Sequence, residues 1–479
     1  MFTTAAKTYN ACAEFRKKRR RFIRFTYGRQ WDDTVVDPKS GRIMSEADIV
    51  RRNGTTPLTN NLIRQMVKTV IGRFRTLSSV SVSGESSSGL PAPSGFLSET
   101  SRRNRLPDLD ARNLEEFLIS GIAVQKISLR RGEDGKPEPF IENVNPSKFF
   151  IGNVGDPRGF DVDLIGMLHD LTPGQLLSRF AGTDPAAAAE LKEIYSDVFR
   201  PGISRSIPLP FTPAADSFTE APEGMCRVVE VWNLENRELL RVLDDEIGEY
   251  SEHPAESLPE IEKENSLRAE SGRPPLKVRY ECRSGWTRRC YSFDGKLLSC
   301  DKSPFPDGGH PFCFRLYPLI DGEVHPFVED IIDQQRCINR MITLIDNIMA
   351  ASAKGLLLYP VNLKPDNLSW ATIAERWTNI GGIIPYIARP GLPAPQQVTA
   401  AGLDAGASNL LDIQMNMMKN ISGVTDTLMG KASSPSSGIE RYEAELRNAT
   451  IALTDILDTY SGFINDRNER LESLRSEEC

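Results

Sequence analysis

Residues 327–354, FVEDIIDQQRCINRMITLIDNIMAASAK, carry the strongest helical pattern in the middle of the chain. The apolar residues that recur there at helical spacing are Ile331, Ile338, Met341, Ile345 and Ile348. A helix with this spacing has one apolar face, and at about 1.5 Å per residue it is roughly 40 Å long. We therefore predict a rod that packs on one side only.

Polar residues occupy a different face of the same rod. They are Asp333, Arg336, Arg340 and Asn347. An ordinary solvated helix face would account for them as well as a functional face does, so both interpretations stay open on the sequence alone.

A second long helix is predicted from about Ile439 to Arg475. One row of its apolar residues, seven apart, is Ile439, Leu446, Leu453 and Tyr460, and the adjacent row is Tyr442, Ala449, Ile456 and Phe463. Such a seam packs against neighbouring helices, within one subunit or across subunits. The segment before it, residues 430–438, has glycine at both ends, four serines and Pro435, which is typical of a loop.

Helix and strand patterns alternate over the first 225 residues, and strand patterns continue beyond them. A strand is predicted from Arg227 to Leu234. An acidic helix is predicted next, from the helical spacing of Leu240, Leu243, Ile247 and Tyr250. Residues 276–300 alternate again as short strands and are basic. Together these patterns predict an α+β fold with a boundary near residue 225.

Charge is distributed unevenly along the chain, whose formal net charge is −7. Residues 1–30 hold nine Lys or Arg against Glu14 alone, whereas residues 235–270 hold twelve Asp or Glu against four Lys or Arg. A protein that grips duplex DNA is usually basic overall, because its affinity comes largely from neutralising phosphates. An acidic chain is better suited to letting DNA slide.

Catalytic motifs are not matched at their required spacing. Gly423 and Gly430 are separated by six residues rather than four, and Ala432 stands where a phosphate-binding loop needs Ser or Thr. The four histidines form no metal-binding pair, and the four cysteines at positions 282, 290, 300 and 313 are spaced more widely than the usual C-x2-4-C zinc ligands. We predict no catalytic residue, no cofactor and no metal site, and expect these thiols to be buried on strands.

Apolar runs are too short for a membrane-spanning helix, which needs roughly 18 or more such residues. The N-terminus carries charge before any apolar stretch, unlike a secretory signal. We therefore expect a protein that is made in the cytoplasm and does not cross a membrane.

Several strings, taken in order, resemble portal proteins of tailed bacteriophages, especially the long-clip portals of short-tailed phages. The resemblance covers roughly residues 56–475. The strings are Pro57–Gly72, similar to an early wing helix; Ile141–Phe150, similar to a V-x-P-x-x-F strand; Phe327–Asn339, with Gln335 and Asn339 at a familiar spacing; and Ile421–Gly430 followed by Ser437–Glu440, similar to the kinked wing helix, tunnel loop and next helix.

The resemblance implies a portal fold with a mixed α/β wing, a long helical stem, a small β-containing clip and a long C-terminal helix. The implied divisions are a basic N-terminal arm (1–55), the first part of the wing (56–225), a first stem helix and clip (226–325), a second stem helix (326–354), and the second part of the wing (355–475) with a tunnel loop at 430–438. Portal chains generally continue further into a crown, so a crown that is short or absent is expected here.

Candidate site residues follow from this resemblance. A tunnel loop facing DNA would present Lys431, Ser433, Ser434, Ser436 and Ser437. The channel face of the stem would present Asp333, Arg336, Arg340 and Asn347, and the clip would bind partners through Arg288 and Arg289.

Implied partners are further copies of the chain in a ring, usually a dodecamer, and double-stranded viral DNA in its channel. The terminase large subunit, head-completion or tail adaptor proteins, the major capsid protein and scaffold are also implied. The location would be one capsid vertex of the virion, after assembly in the host cytoplasm. The alternative is a non-catalytic DNA-binding or membrane-surface protein with a basic N-terminal arm.

Overall fold

A computed structural model describes residues 1–82, 95–131, 135, 137–199, 216–305, 307–352, 356–378, 383–398, 405–430 and 439–475. Within them the α-helices are α1 (Phe2–Ala11), α2 (Ala13–Thr26), α3 (Glu46–Arg52), α4 (Leu62–Val82), α5 (Gly95–Asn104), α6 (Leu106–Ser120), α7 (Pro173–Phe180), α8 (Pro185–Ile194), α9 (Ser196–Phe199), α10 (Leu258–Glu270), α11 (Phe327–Ser352), α12 (Trp370–Thr378), α13 (Ala405–Ser422) and α14 (Ile439–Arg475). The strands are β1 (Thr34–Val36), β2 (Ile43–Ser45), β3 (Ile122–Arg131), β4 (Pro137–Asn143), β5 (Phe149–Ile151), β6 (Leu164–Leu171), β7 (Cys226–Asp244), β8 (Glu249–Pro254), β9 (Lys277–Ser292), β10 (Leu297–Lys302), β11 (Phe312–Leu316), β12 (Leu319–Ile320), β13 (Glu323–Val324), β14 (Leu356–Leu358) and β15 (Gln396–Val398). The α+β fold class is confirmed.

A long antiparallel ribbon of β7 and β9 organises the largest sheet. The two strands pair from Val228 opposite Ser292 to Leu243 opposite Lys277. The first half of β7 also pairs with β6, and its last residues pair with β8. Beyond β6, from residue 234 to 244, the ribbon extends roughly 35 Å at about 3.3 Å per residue. It therefore carries its outer end away from the body of the protein.

The outer end of the ribbon forms a small lobe, residues 235–285, which we call the distal lobe. It consists of the ends of β7 and β9, the strand β8, and α10 lying on one face of these three strands. Its core is Leu240, Val242 and Ile261, with Leu276 and Val278 packed against them. These few apolar side chains hold a lobe whose surface is mostly charged.

The acidic helix predicted from the spacing of Leu240, Leu243, Ile247 and Tyr250 is wrong, because Leu240 lies in β7 and Tyr250 in β8. A first stem helix within 226–325 stays a prediction. Leu240 and Val242 are buried while Arg241 between them is half-exposed, which is the two-residue period of a strand. The apparent helical spacing combined residues of β7, the following turn and β8. Pairing on both edges of β7 fixes the extended conformation, and pairing partners distant in sequence are invisible to local periodicity.

The main core lies among helices. It joins side chains of α2, α4, α6, α11, α13 and α14 with the inner face of β3 and β4. The helices predicted at 327–354 and 439–475 are confirmed as α11 and α14. Leu453, Tyr460 and Phe463 of the predicted seam are buried in this core, so that part of α14 packs within the subunit.

The basic N-terminal residues form α1 and α2, which pack against the body, and the division of residues 1–55 as an arm stays a prediction. Phe22 and Phe25 of α2 enter the main core, and Tyr9 of α1 packs against the largest sheet. The ion pairs made by α2 are Arg16 with Asp216 at 2.5 Å, Lys18 with Glu323 at 2.8 Å, Arg19 with Glu116 at 2.6 Å, Arg20 with Asp216 at 2.7 Å and Arg21 with Asp33 at 2.8 Å. Local carboxylates thus neutralise much of the charge that suggested a nucleic-acid or membrane arm.

Candidate stem, loop and distal surfaces

A buried polar ladder fixes α11 in the body. The backbone N–H groups of Leu62 and Ile63 donate to Gln335 Oε1 at 3.0 and 3.2 Å, and Gln335 Nε2 donates to the Asn60 carbonyl at 2.6 Å. One turn further, Asn339 Oδ1 accepts from the Asn60 N–H at 3.1 Å. Residues four apart lie on one helix face, so α11 holds the extended segment before α4 and caps the first turn of that helix.

In the sequence, Gln335 and Asn339 stood out only by their spacing. The structure gives them a structural role, because both side chains are almost completely buried. Thr343, four residues on, continues the ladder by accepting from the Leu58 N–H at 3.1 Å. An amide or hydroxyl every fourth residue within an apolar helix was the signal available in the sequence.

The four predicted channel-face residues occupy an outer face of α11. Asp333 and Arg340 are exposed, whereas Arg336 and Asn347 are half-buried. The structure brings the two arginines together on one carboxylate, Glu46, at the start of α3. Arg336 contacts Glu46 closely, and Arg340 Nη2 lies 3.1 Å from its Oε2.

That shared carboxylate reduces the charge of the α11 face. Glu46 is 5% exposed, so little water screens the attraction between its carboxylate and the two arginines. Arg340 and Asn347 also line an open cavity of about 370 Å³ between α11 and the β1–β2 and α3 segment. Asp333, 3.9 Å from Arg336, adds a second carboxylate, so two arginines face two carboxylates and the groove is nearly neutral rather than a cationic stripe.

Arg288 belongs to a charge cluster that is centred on a buried carboxylate. The centre is Glu230, fully buried on β7, whose Oε2 lies 2.7 Å from Lys126 Nζ and 2.5 Å from His169 Nε2. Arg288 Nε lies 3.3 Å from the other carboxylate oxygen. Burial alone would raise the pKa of Glu230, but Lys126, His169 and Arg288 outweigh it and hold that pKa well below its ordinary value.

Arg289 is also engaged within the subunit. Its guanidinium donates to Glu235 at 2.5 Å and to Asn233 at 2.6 Å. Burial alone would raise the pKa of Glu235, but hydrogen bonds from Asn233, Arg289 and Thr287 outweigh it and lower the pKa to about 2. Arg288 and Arg289 thus lie at the root of the ribbon, outside the distal lobe, and partner binding through them stays a prediction.

The tip of the distal lobe, residues 244–250, presents apolar and acidic side chains together. Ile247 is 69% exposed and Tyr250 is 61% exposed. Glu246 and Glu249 beside them are exposed as well. This surface was not predicted from the sequence, because the helical spacing placed these residues in a helix.

The predicted tunnel loop begins at Gly430, which adopts a left-handed φ of 80°. A side chain at that φ is strained, so glycine suits this position. The candidate residues Lys431, Ser433, Ser434, Ser436 and Ser437 lie outside the described part of the chain.

Helix α13 exposes a row of large apolar side chains. They are Leu410, Ile413, Met417 and Ile421, each between 45% and 52% exposed. Spacings of three and four residues place them on one face of the helix. Contiguous exposed apolar side chains on a soluble domain mark an interaction surface.

The described residues offer neither a candidate metal site nor a candidate membrane-spanning helix. No group of three or more His, Cys, Asp or Glu side chains there could hold a metal ion. The cysteines at 282, 290, 300 and 313 lie on strands as predicted, but only Cys290 and Cys313 are buried. Within the same residues no helix is long and apolar enough to cross a membrane.

A long helix, a mixed body and a small lobe on a ribbon suggest the class of phage portal proteins. The family model described as Phage P22-like portal protein matches residues 3–464, and the chain belongs to that family. A search of curated proteins found no match. This family is structural and non-catalytic, and it acts at the capsid vertex as the head–tail connector through which DNA is packaged.

Proposed function

We propose that this chain assembles into a closed ring, a dodecamer, around a channel for double-stranded DNA. The apolar row on α13 carries the proposal. Members of the family associate as oligomeric rings. In a ring, one surface of each subunit binds a different surface of the next subunit, and this contact repeats until the last subunit meets the first. Burying four large apolar side chains per contact would supply part of the free energy of that association.

Charged residues on the α13 row should prevent ring formation. We expect an Ile413→Asp/Met417→Asp variant to remain monomeric where the unchanged protein forms rings, because each contact would bury two unpaired carboxylates. Negative-stain electron microscopy and light scattering measure this directly. Ile43→Asp/Ile320→Asp, which alters two exposed side chains on the β-hairpins, is the matched control. If both variants form rings equally well, α13 does not lie in the interface between subunits.

In this ring α11 is the stem and its outer face lines the channel. Glu46 and Asp333 together offset the charges of Arg336 and Arg340, which fits a conduit that lets DNA pass without gripping it. Asp333 and Asn347 add no positive charge. Lys431 and the four neighbouring serines would supply weak, sequence-blind contacts with phosphates from the tunnel loop.

Shortening the loop at 431–438 should spare folding and ring formation but impair packaging or retention of DNA. The reason is that contacts of the proposed loop act on DNA, whereas the described core residues hold the fold. Rings are counted by microscopy, and packaged DNA is measured by nuclease protection in assembled particles. A shortened variant that packages and retains a full genome would show that the segment is only a linker.

The distal lobe acts as the clip, to which the terminase large subunit docks first and the head-completion or tail adaptor docks later. The major capsid protein and scaffold contact the wing. At the lobe tip, Ile247 and Tyr250 provide apolar anchors among carboxylates, so the docking surface of a partner should be apolar at its centre and basic at its rim.

Removing these anchors should weaken docking without affecting rings. An Ile247→Ser/Tyr250→Ser variant should bind terminase large subunit or adaptor at least about tenfold more weakly, since anchors at an interface centre commonly contribute about 1–2 kcal/mol or more each. Binding is measured by surface plasmon resonance on immobilised rings. Ile320→Ser, an exposed apolar residue on the β12–β13 hairpin, is the control. Equal affinity of all three proteins for both partners would contradict docking at the tip.

A further inference from the structure

Five exposed arginines cluster where the end of α5 meets the outer end of the β3–β4 hairpin. They are Arg102, Arg103, Arg105, Arg130 and Arg131. The hairpin register places Arg130 opposite Glu138 and Arg131 opposite Pro137. Arg103 contacts the same Glu138 closely. The arginines of the helix and those of the hairpin therefore share one patch.

The side chain of Asn104 fixes the geometry of this patch. Its Nδ2 donates to the Pro139 carbonyl at 3.1 Å, and its Oδ1 accepts from the Ile141 N–H at 3.0 Å. These two bonds hold the end of α5 along the free edge of β4. Arg105 follows in a left-handed conformation, with φ at 51°. These hydrogen bonds thus fix the end of α5 and β4, which carry the patch, relative to each other.

The patch is positive within an acidic chain. Its five arginines face two carboxylates, Glu99 and Glu138, which leaves +3. If Glu133, Asp134 and Lys136, which follow β3 in the sequence, are counted with the patch, the sum is +2. The chain as a whole carries −7. This local excess is therefore opposite in sign to the overall charge.

The guanidinium groups are arranged to bind an anion. Arg130 lies over the Phe140 ring, with its Cζ 3.3 Å from the ring centroid, and a guanidinium stacked in this way keeps its N–H donors available to an anion. Among the described residues, Arg105, Arg130 and Arg131 have no carboxylate within ion-pair distance. All five side chains are arginines, whose forked donors match phosphate oxygens better than lysine does.

We propose that this arginine patch binds the phosphate backbone of duplex DNA outside the channel. The patch follows β4 over residues 137–141, roughly 13 Å at about 3.3 Å per residue, and a duplex presents a phosphate about every 1.7 Å of its axis. Contact with several phosphates is therefore possible without reading any base. The inference rests on the proposed ring only in that many copies would strengthen binding to one DNA molecule.

Covalently closed circular DNA distinguishes the patch from the channel, because a closed circle cannot thread through a closed ring. Binding of relaxed circular duplex to the purified full-length protein is measured by filter binding across a range of NaCl concentrations. The test variant is Arg105→Asn/Arg130→Gln/Arg131→Gln. The control, Arg51→Gln/Arg158→Gln/Arg273→Gln, removes the same charge from exposed positions elsewhere.

We expect the test variant to bind circular DNA about tenfold or more weakly near 100 mM salt. In a plot of log affinity against log salt concentration, the slope for the test variant should be smaller in magnitude by about 2–3. Each phosphate that is no longer neutralised lowers the magnitude of that slope by roughly 0.9. The control should resemble the unchanged protein. Coincident curves for both variants, or no binding of circular DNA by the unchanged protein, would overturn the inference. Ring counts by microscopy on the same samples show separately whether the proposed assembly has failed.

Discussion

Replacing Glu230 with glutamine should lower the free energy of unfolding by roughly 3–5 kcal/mol, the usual cost of leaving a buried ion pair without one partner. Glutamine keeps the volume of the side chain but removes its charge. Lys126, which is 6% exposed, would then lie in the interior without its counterion. The measurement is guanidinium unfolding of the unassembled chain, followed by circular dichroism.

Acid should reduce the difference between the two proteins. The folded-state pKa of Glu230 is held well below the ordinary 4.5, so its stabilising contribution is fully present above about pH 4.5. That contribution is lost as pH falls through the lowered pKa. The effect of Glu230→Gln should therefore be largest near pH 7 and smaller in acid. An effect that is small at pH 7, or that grows in acid, would contradict a stabilising role for the buried carboxylate.

The matched control lies on the same strand. Glu238, eight residues further along β7, is exposed. A Glu238→Gln change should alter stability by no more than about 0.5 kcal/mol, because surface substitutions away from buried networks are nearly neutral. Equal effects at both positions would show that the buried cluster does not determine the result.

Long helices were predictable because their periodicity is local. The apolar rows of α11 and α14 are fixed by spacings of three, four and seven residues, which can be read without knowledge of any other part of the chain. The bounds predicted for both helices lie within two residues of those observed. Their faces were predictable for the same reason.

The ribbon was not predictable in this way. Whether Leu240 lies in a helix or a strand depends on β9, whose pairing residues follow about 40 positions later. The charges were equally ambiguous. Arg16 meets Asp216 across 200 positions and Arg336 meets Glu46 across 290, so a count of basic residues could not reveal that they are neutralised. The same holds for Arg288 and Arg289, whose carboxylate partners lie on a different strand.

Replacing Gln335 with leucine should lower the free energy of unfolding by roughly 2–4 kcal/mol, because each buried backbone group left without a partner costs about 1–3 kcal/mol. The Ile63 N–H loses its acceptor, whereas the Leu62 N–H and the Asn60 carbonyl keep only the 3.0 Å hydrogen bond that they make with each other. Leucine fills a similar volume, so the loss of the hydrogen bonds to Gln335 is the main change. Guanidinium unfolding gives the stability.

Hydrogen exchange distinguishes this cause from general disturbance of α11. Amide protons at the start of α4 should exchange faster in the Gln335→Leu variant, since they lose the acceptor that caps them. Gln334→Leu is the control, because the adjacent Gln334 Oε1 is buried but has no hydrogen-bond partner among the described residues. That change should cost well under half as much and leave exchange in α4 unaltered. If both variants destabilise the protein equally, or if α4 exchange is unchanged in Gln335→Leu, the ladder between α11 and residues 58–63 does not stabilise the fold in the way its hydrogen bonds indicate.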